Sequence, residues 1–257
     1  MPYIALAHAG RVHYAERGER RPGRTSTMLI HGAGASSAIW MMTLARVARA
    51  GHAVAIDLPG HGPSSTDGAA LDGSPGLSLI RYRDAVGELA ATLCLGPSLL
   101  VGHSMGALVA IEAALAWPDK VRGLVLCAAA PRLPVDPELA ALLREQPERV
   151  PAWLAEHALS PRAKPAIRRG FLAAGDITPA DVTRADFAII AATNVGPRLG
   201  AVTCPITWID GADDRIVPPA EGRRGEIVTL ADVGHLTPIE APGAVADAVA
   251  AALRAPA

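Results

Sequence analysis

The chain has 257 residues, half of them apolar, and a formal net charge of −1. This length accommodates a single α/β domain with a large buried core. Because acidic and basic side chains nearly cancel, the composition favours neither a nucleic-acid partner nor a membrane-surface partner, and it suits a small uncharged ligand. Three cysteines without the spacing of a zinc site predict buried thiols in a reducing compartment.

The N-terminal residues lack the basic and apolar regions of a secretory signal. No later apolar run reaches the roughly 18 residues that a membrane span needs. We therefore expect a cytoplasmic protein without a membrane partner, whose oligomeric state the sequence leaves open.

Short apolar runs alternate with helical patterns over the first half of the chain. "YIALAH" and "RVHYAE" alternate in polarity around Ala9 and Gly10, which predicts a hairpin. Further strands are predicted at "TMLI", "HAVAID", "SLLVG" and "RGLVLC", with helices around "SAIWMMTLARVARA", from Ser78 to about Cys94, and after Ser104. Strands and helices in this alternation predict an α/β fold with a mostly parallel, doubly wound sheet.

The pattern changes over residues 131–196, where prolines multiply and strand-like runs are missing. Helix starts are predicted at Asp136-Pro137, Ser160-Pro161 and Thr178-Pro179. Thr178 and Asp181 have the spacing of a capping box, and Leu139, Leu142 and Leu143 form one apolar helical face. Strands return at "PITWID" and "EIVTL", before a final helix "IEAPGAVADAVAAALRA". We predict a core domain of residues 1–130 and 197–257, interrupted by a helical insertion of residues 131–196.

Ser104 lies in the pentapeptide Gly102-His103-Ser104-Met105-Gly106, between a predicted strand and a predicted helix. This is the context that a G-x-S-x-G nucleophile turn requires, since the glycines leave room for a strained turn that lifts the serine hydroxyl above the sheet. The alternative is an ordinary polar residue in a glycine-rich loop. A nucleophilic serine needs a base and a group that orients this base, so the presence of both elsewhere in the chain would favour the first interpretation of Ser104.

His235 is the histidine best placed to act as that base, because it follows the predicted strand "EIVTL" at the carboxyl end of the sheet. The preceding strand is followed by Asp210, Asp213 and Asp214, each of which could orient the imidazole. The order serine, acid, histidine along the chain is the one associated with nucleophile turns of this type. These spacings alone do not select one of the three aspartates.

An oxyanion hole needs two backbone donors close to the serine. The Met105 amide is one candidate, because it begins the helix after Ser104. The small residues of "HGAGA" after the strand "TMLI" allow close approach of a substrate, and we assign the second donor to the Ala33 amide. This segment is not predicted to bind a nucleotide, because it matches neither the G-x-G-x-x-G motif nor a Walker motif.

With these motifs in place, the chain resembles the α/β-hydrolase superfamily, in its branch of small cofactor-free esterases, enol-lactonases and perhydrolases. The matching segments are "HGAG", "DLPGHGPS", "GHSMG", "GADDRIVPP" and "GHLTPIE". The resemblance selects Asp214 as the triad acid, makes residues 131–196 a cap over the active site, and implies that neither a metal nor an organic cofactor is used. It also implies structural roles for Asp57 and His61.

The resemblance, together with the motifs, predicts a serine hydrolase that cleaves a small, mostly apolar ester or lactone through an acyl-enzyme. Serine at the nucleophile position disfavours haloalkane dehalogenases and the usual epoxide hydrolases. Candidate pocket residues are Trp40, Trp153, Leu154 and Phe187. Two alternatives stay open: a perhydrolase that uses peroxide on the same triad, and a ligand receptor with negligible turnover.

Overall fold

The computed structural model describes residues 2–21, 23–64, 76–174, 178–219 and 221–255. The described residues form an eight-stranded sheet in the order β1-β2-β4-β3-β5-β6-β7-β8. The strands are β1 Tyr3–Leu6, β2 Gly10–Arg17, β3 Thr27–Ile30, β4 Ala53–Ile56, β5 Ser98–His103, β6 Val121–Cys127, β7 Ile206–Gly211 and β8 Glu226–Leu230. β1 and β2 are antiparallel to their neighbours and the remaining pairs are parallel. The predicted hairpin and mostly parallel sheet are thereby confirmed.

Helices cover both faces of this sheet. The core helices are α1 Met41–Val47, α2 Leu79–Thr92, α3 Met105–Ala116, α8 Thr237–Glu240 and α9 Pro242–Arg254. In β5, Leu100 packs into the apolar cluster with α2 and α3, while Leu99 and Val101 pack into the cluster with α1 and α9. Because strand side chains alternate between faces, a strand covered on both sides is apolar throughout. This arrangement confirms the doubly wound α/β fold.

The predicted final helix is divided in two. α8 ends at Glu240, and α9 begins at Pro242 after Ala241 takes an extended φ of −134°. The ring of Pro242 disfavours helical geometry at the residue before it, so the chain bends and a second helix starts with proline at its first position.

Among the described residues, four α-helices lie between β6 and β7, in the segment where the sequence predicts a helical insertion. They are α4 Pro137–Glu145, α5 Val150–His157, α6 Pro165–Ala174 and α7 Ala180–Ala192. α4 starts as predicted, because the Asp136 carboxylate accepts from the amides of Glu138 at 2.8 Å and Leu139 at 3.2 Å. Within the described ranges, no helix combines the length and the apolar character needed to cross a membrane.

Of the other two predicted helix starts, the one at Ser160-Pro161 is wrong, whereas at Thr178-Pro179 a helix does begin, one residue late and without its predicted cap. In both places a tertiary partner takes the side chain that would cap a helix. The Ser160 hydroxyl accepts from the Arg162 amide and donates to Asp213 at 2.6 Å, which gives a turn, and α6 begins only at Pro165. The Thr178 hydroxyl donates to the carbonyl of Ala35 at 3.2 Å. α7 begins at Ala180 without a side-chain cap, so the predicted capping box is not formed.

Candidate active site

Ser104 occupies the sharp turn between β5 and α3. Its backbone angles, φ 51° and ψ −117°, lie in a region that residues other than glycine rarely adopt. The Ser104 amide donates to the Cys127 carbonyl at 2.9 Å, and the Ser104 carbonyl accepts from the Ala107 amide at 2.9 Å. Strain of this kind persists only where the surrounding structure fixes the residue, which is typical of functional sites.

Gly102 and Gly106 permit this turn because neither position has room for a side chain. A Cβ atom at Gly102 would lie 2.4 Å from the carbonyl oxygen of Gly106, and one at Gly106 would lie 2.4 Å from the carbonyl oxygen of His31. Both distances are well below van der Waals contact, and the obstacle in each case is rigid backbone. The two glycines of the motif are therefore steric requirements of the turn.

His235 and Asp214 lie together at the carboxyl end of the sheet. Nδ1 of His235 is 3.0 Å from Oδ2 of Asp214. The other carboxylate oxygen of Asp214 accepts from the amides of Ile216 at 2.8 Å and Val217 at 2.9 Å, which fixes the orientation of the carboxylate. The His235 amide in turn donates to the Ala158 carbonyl at 2.7 Å. This pair has the geometry of a base and the acid that orients it.

The electrostatics of the pair favour an ionised acid. Burial acts to raise the pKa of Asp214, but His235 and the two backbone donors outweigh it and lower this pKa from its ordinary value. The carboxylate therefore accepts the proton of Nδ1, which leaves the lone pair of a neutral imidazole on Nε2. Burial lowers the pKa of His103 to about 3, with His235 acting in the same direction. The neutral His103 ring donates from Nε2 to the His235 carbonyl at 2.9 Å.

Ser104 and His235 line the same cavity. Among the described residues, neither the Ser104 hydroxyl nor Nε2 of His235 has a hydrogen-bond partner, so the two are not joined in this structure. Contacts between a nucleophile and its base are often long before substrate binds, so this separation is compatible with a catalytic pair.

Asp210 and Asp213, the other two candidate acids, have partners away from His235. Asp210 pairs with Arg223 at 2.7 Å. Asp213 accepts from the Ser160 hydroxyl and pairs with Arg162 at 2.9 Å, and these contacts lower its pKa. Of the three aspartates, Asp214 therefore has the hydrogen bond to the imidazole.

The loop after β3 lies directly against Ser104. A Cβ atom at Gly32 would lie 3.1 Å from Cβ of Ser104 and 2.9 Å from Nδ1 of His103. Ala33, the next residue, lines the cavity beside Ser104. Among the described residues, neither the Ala33 amide nor the Met105 amide donates to a protein acceptor. Neither predicted oxyanion donor is therefore occupied by an acceptor among these residues.

The cavity above Ser104 has a volume of about 530 Å³ and is mostly apolar. The helices between β6 and β7 supply Leu139, Leu154, Ile167, Phe171 and Phe187 to its wall, and the core supplies Met42, Ile216 and Ile239 among others. Ser104 and His235, by contrast, are among its few polar side chains. A cavity of this kind fits a small apolar ligand with one polar group near the serine.

Two of the four predicted pocket residues line this cavity, namely Leu154 and Phe187. Trp40 lies elsewhere, because it is fully buried in the cluster with α1 and α9. Trp153 also lies outside the lining, since its Nε1 donates to Glu138 at 3.0 Å and its ring stacks on His157. Size and apolar character do not separate core from cavity, so both tryptophan assignments are wrong as to location.

The contribution of α6 to the cavity wall was not predicted from the sequence. Ile167 and Phe171 stand four residues apart on this helix and both line the wall. That spacing is a helical signal, since residues i and i+4 share a face. Ile216, two residues after Asp214, was also missed, and its position next to the acid was the available signal.

Comparison with known proteins gives the family to which this fold and this arrangement of residues belong. A model of the alpha/beta hydrolase family matches residues 28–248. The chain therefore belongs to the α/β-hydrolase family.

Esterases and other hydrolases are among the proteins to which the chain is similar. It is 32% identical over 123 residues to (E)-2-((N-methylformamido)methylene)succinate hydrolase of Acinetobacter baylyi, covering 48% of this chain and 43% of that protein. It is 27% identical to a pimeloyl-(acyl-carrier protein) methyl ester esterase of Yersinia pseudotuberculosis, covering 76% and 78%. The chain thus spans less than half the length of the first of these relatives.

Among solved structures, the fold is similar to that of the enol-lactonase from Burkholderia xenovorans. The two superpose with a TM-score of 0.84 over 99% of this chain and all of the other, at 22% identity. At 22% identity, this similarity shows that the two proteins share a fold, and it shows nothing further.

Proposed function

We propose that this chain is a serine hydrolase that cleaves a small, mostly apolar carboxylic ester or lactone through an acyl-enzyme. The observation that carries the proposal is the strained turn that presents Ser104 to an apolar cavity, which also contains a histidine oriented by Asp214. Ser104 is a non-glycine residue with a positive φ, a conformation that is enriched at functional sites. Its cost of about 1–3 kcal/mol is explained if the hydroxyl reacts.

The mechanism follows from the positions of the groups. Ser104 attacks the carbonyl carbon of the ester while Nε2 of His235 takes the hydroxyl proton. The negative charge that forms on the carbonyl oxygen is stabilised by the Met105 and Ala33 amides, an effect for which loss of one donor typically costs about 3–4 kcal/mol. His235 then returns the proton to the leaving alcohol, and water repeats the cycle on the acyl-enzyme. Each step uses side chains and backbone of this chain, so no metal or organic cofactor is required.

The substrate class is proposed from the cavity wall. Leu139, Leu154, Phe171 and Phe187 come from the helical segment and face Ser104 from above, so residues 131–196 would act as a cap that selects substrates. Burying an apolar acyl or alcohol group there favours binding by about 25 cal/mol for each Å² of apolar surface removed from water. A charged substrate is disfavoured, because an apolar wall offers few partners to offset the free-energy cost of burying a charge.

Fluorophosphonate labelling together with ester hydrolysis tests the proposal. We expect Ser104 to be labelled, and Ser104→Ala to lose both the label and the hydrolysis of p-nitrophenyl esters from acetate to decanoate. Labelling that persists in Ser104→Ala would contradict the assignment. Multiple turnovers would exclude a receptor without catalysis, and peracid formation from acetate and peroxide would identify a perhydrolase instead.

A further inference from the structure

Asp186 on α7 is a fully buried carboxylate to which three donors point. Its Oδ1 accepts from the Tyr82 hydroxyl at 2.6 Å. Its Oδ2 accepts from Nε2 of His61 at 2.7 Å and from the Gly34 amide at 2.9 Å. These donors come from α2, from the loop after β4 and from the loop after β3. The carboxylate of one helix therefore joins three separate parts of the core.

The surroundings of Asp186 compensate a buried negative charge. Burial and the nearby carboxylate raise the pKa of Tyr82 far above its ordinary value, so its hydroxyl remains a donor. Nδ1 of His61 lies 3.1 Å from the Pro59 carbonyl, so both ring nitrogens face acceptors. Hydrogen bonds from Tyr82, His61 and Gly34 thus satisfy both oxygens of the buried carboxylate. The carboxylate is thereby held in one orientation.

The residue that Asp186 holds, Gly34, belongs to the loop of the proposed oxyanion hole. Gly34 adopts a φ of +62° and follows Ala33 directly. A Cβ atom at Gly34 would lie 2.9 Å from Cγ2 of Thr183, so α7 also packs on this residue. The Thr178 hydroxyl donates to the next carbonyl, that of Ala35, at 3.2 Å. Three contacts from residues 178–186 thus fix the backbone beside the Ala33 amide.

We infer that Asp186 is a positioning residue for the oxyanion hole, and this inference rests on the proposed function. By accepting from the Gly34 amide, Asp186 sets the peptide plane next to Ala33 and so aims the Ala33 amide at the carbonyl oxygen of the substrate. Since Asp186 belongs to the helical segment, that segment supplies part of the catalytic geometry in addition to the cavity wall. Asp186 itself does not line the cavity and touches no reacting atom.

Kinetics of Asp186→Ala and of Tyr82→Phe test the inference. Alanine removes both carboxylate oxygens, so the Gly34 amide loses its acceptor. Asparagine would not serve, because Gly34 and His61 donate to the same oxygen, and an asparagine oxygen in that position keeps both contacts. Tyr82→Phe removes the donor to the other carboxylate oxygen and leaves the Gly34 contact. We expect Asp186→Ala to lower kcat about 10- to 100-fold with KM within about threefold, as for a displaced oxyanion donor. Tyr82→Phe should keep kcat within about threefold, although both variants lose thermal stability.

A transition-state analogue gives a readout that a purely structural role would not change. The inhibition constant of a trifluoromethyl ketone of matched chain length should rise in Asp186→Ala by the same factor by which kcat/KM falls. A kcat within about threefold of wild type in Asp186→Ala would overturn the inference, as would an equal loss in Tyr82→Phe. If the wild type hydrolyses no ester and Ser104 takes no label, the proposed function fails, and the role of Asp186 fails with it.

If Asp186→Ala does not fold, hydrogen exchange of the wild-type protein still tests the inference. With glycine labelled by ¹⁵N, the Gly34 amide should exchange slowly with deuterium, because it donates to a buried carboxylate. Exchange as fast as that of an open loop would overturn the inference.

Discussion

At the scale of single residues, Asp213 and Asp214 are adjacent in sequence but have different partners. Asp214 bonds Nδ1 of His235, whereas Asp213 holds Ser160 and Arg162 of the helical segment. An asparagine at position 214 keeps an oxygen for the amides of Ile216 and Val217 but presents its NH₂ group to the imidazole. The imidazole then takes the wrong tautomer, and its lone pair no longer faces Ser104.

We therefore expect Asp214→Asn to lower kcat on a soluble ester by orders of magnitude, about 10⁴-fold by analogy with other triad acids. Asp213→Asn should keep kcat within about threefold and lower the melting temperature, because the Arg162 contact weakens. Steady-state kinetics and thermal unfolding of the two variants check this. A severe kinetic loss in Asp213→Asn with near-normal Asp214→Asn would reverse the assignment.

The sequence could narrow the acid to three aspartates in one loop, but not to one of them from spacing alone. What separates them is a set of distant partners: Arg223 for Asp210, and Arg162 for Asp213. Such pairings depend on how the loop and the helical segment meet in space. In contrast, the turn at Ser104 was predictable, because its serine and glycines lie within five consecutive residues, although the obstacle at Gly106 is the distant His31 carbonyl.

At the scale of secondary-structure elements, the helices between β6 and β7 were predictable as helices but not in their contacts. The start of α4 follows from Asp136, whose cap is local. The start of α6 does not follow from Ser160, because the hydroxyl of that residue donates to a distant aspartate. Likewise, a large apolar residue such as Trp153 faces another part of the helical segment rather than the cavity. Local signals fix an element, and tertiary packing decides what it faces.

Chain-length preference tests the role of these helices in substrate selection. Leu154 on α5 lines the cavity, so Leu154→Trp should fill part of it. We expect kcat/KM for decanoate to fall relative to acetate by at least about tenfold, since one methylene in a fitted pocket is worth about 1–3 kcal/mol. Activity on p-nitrophenyl acetate through decanoate measures this.

Leu172→Trp is the matched control, because Leu172 lies on α6 with 47% of its surface exposed. This variant should keep the wild-type order of preference. Trp153→Ala should also keep that order and lower stability instead. An unchanged profile in Leu154→Trp would indicate that the cavity wall does not select the acyl chain.

At the scale of the whole molecule, the helical segment contacts both sides of the candidate site. On the histidine side, the Ala158 carbonyl accepts from the His235 amide, and Glu240 accepts from the amides of Ser160 and Gly234. On the opposite side, Asp186 holds the Gly34 amide. The base and the proposed oxyanion loop are therefore fixed by contacts that exist only when the segment is folded onto the sheet. We expect the stability of the molecule and the geometry of the site to change together.

The ionisation of Asp214 links this stability to pH. The pKa of Asp214 is lowered in the folded protein, with His235 and the backbone donors outweighing burial, so the unfolded state binds the proton more tightly. The stabilisation is therefore present above the unfolded pKa and is lost as the pH falls through the folded pKa.

We accordingly expect the free energy of unfolding of the wild type to decrease in acid more steeply than that of Asp214→Asn, which has no carboxylate to protonate at this position. The difference between the two proteins should be largest near neutral pH and should shrink once Asp214 is protonated in both states. Urea unfolding at pH 7 and at several values below pH 4 measures it. Parallel curves for the two proteins across this range would contradict a lowered pKa of Asp214 in the folded protein.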